Sequence, residues 1–157
     1  MTRSRPHGES ARTVRHGHRA RCATADETRR LGRRLAAELS PGDVVLLFGA
    51  LGAGKTCLVQ GIAAGLGLDP RHIHSPSFIM VSRHEGAVSL DHVDLYRLGD
   101  GESLADLGLE DILADTSITV IEWAERLPDA VCPPPRVEVR ITATEAGTRA
   151  IAIDTVT

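Results

Sequence analysis

Apolar positions along this chain follow two spacings, helical and strand-like, and the switches between them mark out its elements from residue 24 onward. Thr24-Ala25-Asp26-Glu27 reads as a capping box opening a helix whose apolar face is Leu31, Leu35, Ala36 and Leu39, with Pro41-Gly42 ending it. Residues 43–48 form an apolar run that suits a buried parallel strand. Leu58, Val59, Ile62, Ala63 and Leu66 then recur at helical spacing over residues 56–66, and Gly67 is placed to stop that helix. Two strand-like runs, 78–83 and 87–93, flank the turn residues His84-Glu85-Gly86. Leu104, Leu107, Leu109, Ile112 and Leu113 sit at roughly helical spacing broken by Gly108, which predicts two short helices. A second buried strand covers 117–122, and after Pro133-Pro134-Pro135 the stretches 136–142 and 149–154 predict a closing hairpin across Glu145-Ala146-Gly147. Helices between buried apolar strands predict an α/β domain with parallel central strands and an antiparallel flank.

The 157 residues are enough for one domain with a modest core, leaving little space for a large lid. The net charge of -3 hides an asymmetry. Residues 1–22 hold six arginines against Glu9 and carry no apolar periodicity. They are read as a disordered extension, 23–157 being the domain. Such a tail can touch RNA electrostatically, but a dispensable extension is the preferred reading. The tail lacks the apolar core of a secretory signal, and no later stretch has the length of a membrane span. Cys22, Cys57 and Cys132 form no CxxC pair, which argues against a disulfide framework or a zinc site and fits a cytoplasmic protein.

Chemistry concentrates at Gly49-Ala50-Leu51-Gly52-Ala53-Gly54-Lys55-Thr56, which meets GxxxxGK[ST] at every defined position. Lys55 is the only lysine; arginine takes every other basic position. The lone ammonium thus stands where a compact point charge differs most from a planar fork. Strand, glycine turn and helix is the context such a P-loop requires, and it sets phosphates at a helix N-terminus. The nucleotide-binding set is Gly49, Leu51, Gly52, Ala53, Gly54, Lys55, Thr56 and Cys57, with the Thr56 hydroxyl as an Mg²⁺ ligand. The Cys57 thiol is read as a small buried group rather than a reactive one.

Phosphoryl chemistry also needs a metal-side carboxylate and an acid that orients the nucleophile. Asp94 and Glu122 are the best-placed acids, because each ends an apolar strand where the carboxyl ends of parallel strands open into a ligand crevice. Trp123 follows directly. Ser75-Pro76-Ser77-Phe78 offers hydroxyls in a loop that can close over a phosphate as switch segments do. His92, Asp94, Tyr96 and Arg97 lie within six residues; His92 is read as structural sooner than as an acid or base. Arg97 is left open between an internal acid, phosphate and RNA. The sequence has no asparagine, so the Asn-Lys-x-Asp element that reads guanine is impossible, favouring ATP.

Together these residues resemble the TsaE (YjeE) family, small P-loop ATPases required for threonylcarbamoyladenosine formation in bacterial tRNA. The likeness runs through Pro41-Gly42-Asp43, the P-loop, Gly65-Leu66-Gly67, Ser75-Pro76-Ser77-Phe78, His92-Val93-Asp94-Leu95-Tyr96-Arg97-Leu98, Leu107-Gly108-Leu109 and Ile121-Glu122-Trp123-Ala124-Glu125. It implies a single three-layer P-loop domain in which Thr56 and Glu122 hold Mg²⁺, Asp94 supports hydrolysis beside Lys55, and residues 75–78 act as a switch-like loop. It implies also that the N-terminal helix covers the adenine side, with Thr28 as a contact. It further implies ATPase action with TsaB and TsaD, where TsaD transfers the threonylcarbamoyl group and tRNA is engaged only indirectly. Ala50 stands where the family usually has an acid, Ser77 replaces a threonine, and the Arg/His-rich tail lies outside the pattern. The competing readings are a small P-loop kinase, for which this length leaves little lid, and a non-catalytic nucleotide-binding interaction module.

Overall fold

The computed structural model describes residues 14–50, 52–74, 81–98 and 106–157. Seven strands make one sheet: β1 (His18–Cys22), β2 (Val44–Phe48), β3 (Val81–His84), β4 (Leu90–Asp94), β5 (Ile118–Glu122), β6 (Arg136–Ala143) and β7 (Arg149–Val156). Their spatial order is β1-β7-β6-β2-β5-β4-β3. The four central strands pair parallel, β6 with β2, β2 with β5 and β5 with β4. Both margins are antiparallel, β3 on β4 at one side and β1-β7-β6 at the other. The expected parallel centre is therefore present, with an antiparallel flank on each side.

Alternation along β2 makes the domain three layers deep. Val45 and Leu47 point into a core with Leu31, Leu35, Leu58 and Ile62, from the helices α1 (Ala25–Ala36) and α2 (Lys55–Gly65). Leu46 points the other way, into a second core with Val93, Leu95, Ile121 and Leu109 of α3 (Leu109–Ala114). A parallel strand covered on both faces needs apolar residues at every position, which is why the sequence shows a run there instead of a polar alternation.

Helix α1 begins as its capping signal predicts: the Thr24 hydroxyl accepts from the Glu27 N–H at 3.1 Å, and Glu27 reaches back to the Ala23 N–H at 2.6 Å. Its buried face, Thr28, Leu31, Gly32, Leu35 and Ala36, lies along α2. The two helices meet at backbone distance. A Cβ added to Gly61 would stand 2.1 Å from the Arg29 carbonyl oxygen, and one on Gly32 would stand 2.4 Å from that of Leu58. Packing this close fixes the helix that follows the P-loop against a second helix as well as against the sheet.

Two expectations change. Residues 14–22, read from composition as part of a disordered extension, are ordered: β1 adds antiparallel to β7, with Cys22 opposite Arg149. Val14 is 1% exposed, its N–H donating to the Glu38 carboxylate at 3.1 Å. Arg15 donates to the Glu38 carbonyl and to the Asp43 carboxylate, both at 2.9 Å. Arginine-rich sequence hid this strand because an edge strand needs only its inward residues, here Ala20 and Cys22, to be apolar. Residues 1–13 lie outside the described residues. The hairpin predicted across residues 84–86 has a longer connection, His84 pairing with Leu90 where β4 starts, and within it Gly86 lies close against the Leu68 side chain beyond α2. Of the two short helices predicted, α3 is present, and residues 99–105 lie outside the described set.

Gly61→Ala is expected to lower unfolding stability by about 3 kcal/mol, since backbone and not a movable side chain blocks the new methyl; chemical denaturation measures it. Deleting residues 1–22 removes Val14 and β1 and is expected to cost about 2 kcal/mol or more.

Candidate functional site

The site forms where β2, β5 and β4 end together. Chain leaving Phe48 turns through the glycine loop into α2, and the turn depends on Gly52 and Gly54, whose φ values of 78° and 101° lie in the left-handed region that side chains avoid. Lys55 opens α2 and is 6% exposed. Its Nζ donates to the carbonyl oxygens of Gly49 and, at 3.2 Å, Ala50. The ammonium also lies 3.9 Å from the ring centre of Trp123. Burial pushes the Lys55 ammonium below the ordinary lysine range, while the charges of Glu122, Glu125 and Asp94 act the other way.

Glu122 ends β5 and is 1% exposed. One carboxylate oxygen accepts from the Thr56 hydroxyl at 3.2 Å, and the other is 2.8 Å from His92 Nε2. Since a carboxylate only accepts, Nε2 carries the proton. His92 is fully buried, and its Nδ1 has no hydrogen-bond partner among the described residues. Asp94 stands directly across from Glu122 in the β4–β5 register and accepts from the Tyr96 N–H at 2.8 Å, an Asx turn that stops the strand.

Trp123 adopts φ 59°, the one positive value at a non-glycine residue among those described. Such a conformation costs on the order of 1–3 kcal/mol and persists only where its surroundings enforce it. Here it turns the indole over Lys55 and against Tyr96, whose ring centre is 4.9 Å away. Arg126 lies 5.7 Å from the Tyr96 ring, and Glu125 accepts from the Gly49 N–H at 3.4 Å.

Of the residues singled out from sequence, Lys55, Thr56, His92, Asp94, Tyr96, Glu122 and Trp123 converge here. Arg97 is exposed in the turn after β4. Thr28 is buried on α1, its hydroxyl donating to the Thr24 carbonyl at 3.4 Å, and it lines a small cavity shared with Gly54 and Cys57. Cys57 is half-buried rather than buried. Leu51 and the loop Ser75, Pro76, Ser77, Phe78 lie outside the described residues. Glu125, Arg126 and Arg149 were not singled out; Arg149 donates to the Gly52 carbonyl from the far side of the P-loop at 3.3 Å. Glu125 lies within the Ile121–Glu125 stretch of the family resemblance, which implies no role for it, and no motif marks Arg126, in the short 3-10 helix after β5, or Arg149, at the start of β7.

A hydroxyl and a carboxylate hydrogen-bonded to each other are two hard oxygen donors on one spot, a set suited to Mg²⁺, which takes few protein ligands beside water and phosphate. With a buried ammonium and the N–H groups of a glycine turn alongside, the residues fit a metal–polyphosphate pair.

The family model described as threonylcarbamoyl adenosine biosynthesis protein TsaE matches residues 22–151. The tRNA threonylcarbamoyladenosine biosynthesis protein TsaE of Treponema pallidum is 38% identical over 135 residues, covering 85% of this chain and 98% of that protein. The Bacillus subtilis protein of the same name is 34% identical over 128 residues, 81% of this chain and 77% of its own. The crystal structure of Bacillus subtilis YdiB superposes with a TM-score of 0.76 at 30% identity, covering 89% of this chain and 86% of that one. A family match running from the end of β1 through the P-loop and both strand-end acids to the first residues of β7 shows that the chain belongs to the TsaE family of threonylcarbamoyl adenosine biosynthesis proteins.

Proposed function

We propose that this protein is the ATP-binding and ATP-hydrolysing subunit of tRNA threonylcarbamoyladenosine formation, acting with TsaB and TsaD and not itself the threonylcarbamoyl transferase. The observation that carries the reading is the convergence of Lys55, Thr56 and Glu122, with Asp94 alongside, on one loop at the carboxyl ends of parallel strands. Membership of the TsaE family supports the pathway. Among the described residues, no helix is long and apolar enough to cross a membrane.

Each residue has a role that follows from its position. The backbone N–H groups of the glycine turn and of the first turn of α2 bind phosphate oxygens, and Lys55 adds a mobile point charge. Thr56 and Glu122 would hold Mg²⁺, which when bound would supply compensation for phosphoryl charge. His92 fixes the orientation of Glu122 by occupying the oxygen that Thr56 leaves. Asp94, one strand away from Glu122, orients the attacking water. Trp123, with Tyr96 against its ring, covers the lysine, and there the ammonium acts through a lower effective dielectric. Hydrolysis at such a site resets the assembly with TsaB and TsaD, and tRNA is engaged through those partners.

Phosphate release from ATP tests this directly. The purified protein is expected to turn over slowly alone and faster with TsaB and TsaD. Lys55→Ala and Glu122→Gln are each expected to lower the stimulated rate about 100-fold. Glu122→Gln releasing phosphate at the wild-type rate, or label from the γ-phosphate passing to a small acceptor, would overturn the reading in favour of a non-catalytic module or a kinase respectively.

A further inference from the structure

We infer that Arg149 is a nucleoside clamp, closing a cavity beside the P-loop over the base of the bound nucleotide; this rests on the nucleotide-binding reading above. Arg149 opens β7 immediately after the β6–β7 turn and pairs in register with Cys22 at the end of β1. Three separate parts of the chain therefore meet around its side chain: the β1–α1 junction, the P-loop and the hairpin.

The side chain is held against the loop weakly. Its Nη2 donates to the Gly52 carbonyl at 3.3 Å and its Nη1 to the Gly147 carbonyl at 3.4 Å, both long for N–H···O bonds and both exposed. A Cβ built on Gly54 would stand 3.4 Å from Arg149 Nε, so the guanidinium lies directly over that glycine. Among the described residues no carboxylate pairs with Arg149. Three other arginines on this side of the sheet are paired: Arg19 with Asp154, and Arg136 and Arg140 both with Glu138. An arginine with only two stretched carbonyl contacts gives them up at little cost.

Beneath it lies a cavity of about 80 Å³ that begins at Gly54 and Cys57, the residues flanking Lys55 and Thr56. Because this cavity adjoins the loop at Gly54 and Cys57, it is within reach of the remainder of a molecule whose phosphates rest there. Ala23 and Ala25 make one wall; the Thr28 hydroxyl donates to the Thr24 carbonyl, while the Thr24 hydroxyl accepts from Glu27 N–H and keeps its own hydrogen to donate. No carboxylate or carboxamide lines it. Such a slot, with one hydroxyl donor and otherwise small apolar lining, takes a flat ring with few polar edges. The planar, weakly hydrated guanidinium supplies the stacking face.

Binding of ATP, ADP and inorganic tripolyphosphate to wild type, Arg149→Ala and Arg149→Lys tests the assignment, by calorimetry at fixed Mg²⁺. Arg149→Ala is expected to weaken ATP and ADP about tenfold and leave tripolyphosphate within twofold, with Arg149→Lys intermediate, because it keeps the charge and loses the plane. An unchanged thermal midpoint without ligand separates this from misfolding, and Arg149→Gln serves if the alanine variant is unstable. Equal losses for tripolyphosphate would make Arg149 a phosphate ligand and overturn the clamp; so would wild-type ATP affinity in Arg149→Ala. If wild type bound neither ATP nor tripolyphosphate, and Lys55→Ala matched it, the nucleotide reading would fail first and take the clamp with it.

Discussion

Glu122 is a carboxylate taken almost wholly out of water, and such a group is tolerated only where donors replace the solvent it has lost. Two donors do so from different elements, the Thr56 hydroxyl from the start of α2 and the His92 imidazole from β4. Removing either would leave part of a buried charge without a partner, and breaking a buried pair commonly costs 3–5 kcal/mol. One carboxylate thereby ties the P-loop helix, the β5 terminus and β4 into a fixed relation. Lys55, buried a residue before Thr56, depends on the same negative charge, since Glu122 is first among the acids that oppose the loss of its proton.

The remainder of the fold keeps those ends in register. Parallel pairing of β2, β5 and β4 brings their carboxyl termini to one edge, so the loop after Phe48, the acid Glu122 and the acid Asp94 emerge side by side. Glycine contacts between α1 and α2 hold the P-loop helix down from above. The strand β1 and the bonds of Arg15 to Glu38 and Asp43 secure the N-terminal approach to α1. Strain at Trp123 is sustained by this frame, and what it obtains is an aromatic face over the lysine.

Much of this was legible in the residues. The strand before the P-loop, the helix after it and the capping box of α1 each announce themselves through local chemistry, and local chemistry decides them in the fold. Thr56 was legible from the P-loop motif and Glu122 from the apolar strand it ends, while their pairing came from the family resemblance. The partnership of His92 with Glu122 was not legible, since nothing within the β4 sequence says which neighbour its ring faces. β1 escaped notice because arginines on its outer face mask two small inward residues. Arg149 escaped because its role comes from a hairpin folding back over a loop 97 residues earlier in the chain. Contacts made by turns across long separations carry no periodic trace.

The central claim is that Glu122 holds the metal beside the nucleotide, and the most direct measurement is ATP affinity by calorimetry, with Mg²⁺ and with chelator, in wild type and Glu122→Gln. Glutamine keeps the shape and a hydrogen bond to Thr56 while removing the charge. Mg²⁺ is expected to tighten ATP binding at least about tenfold in wild type and to lose most of that gain in the variant, about 1.4 kcal/mol of coupling or more. An equal gain from Mg²⁺ in both proteins would contradict the account, because the metal would then be held by the nucleotide without Glu122.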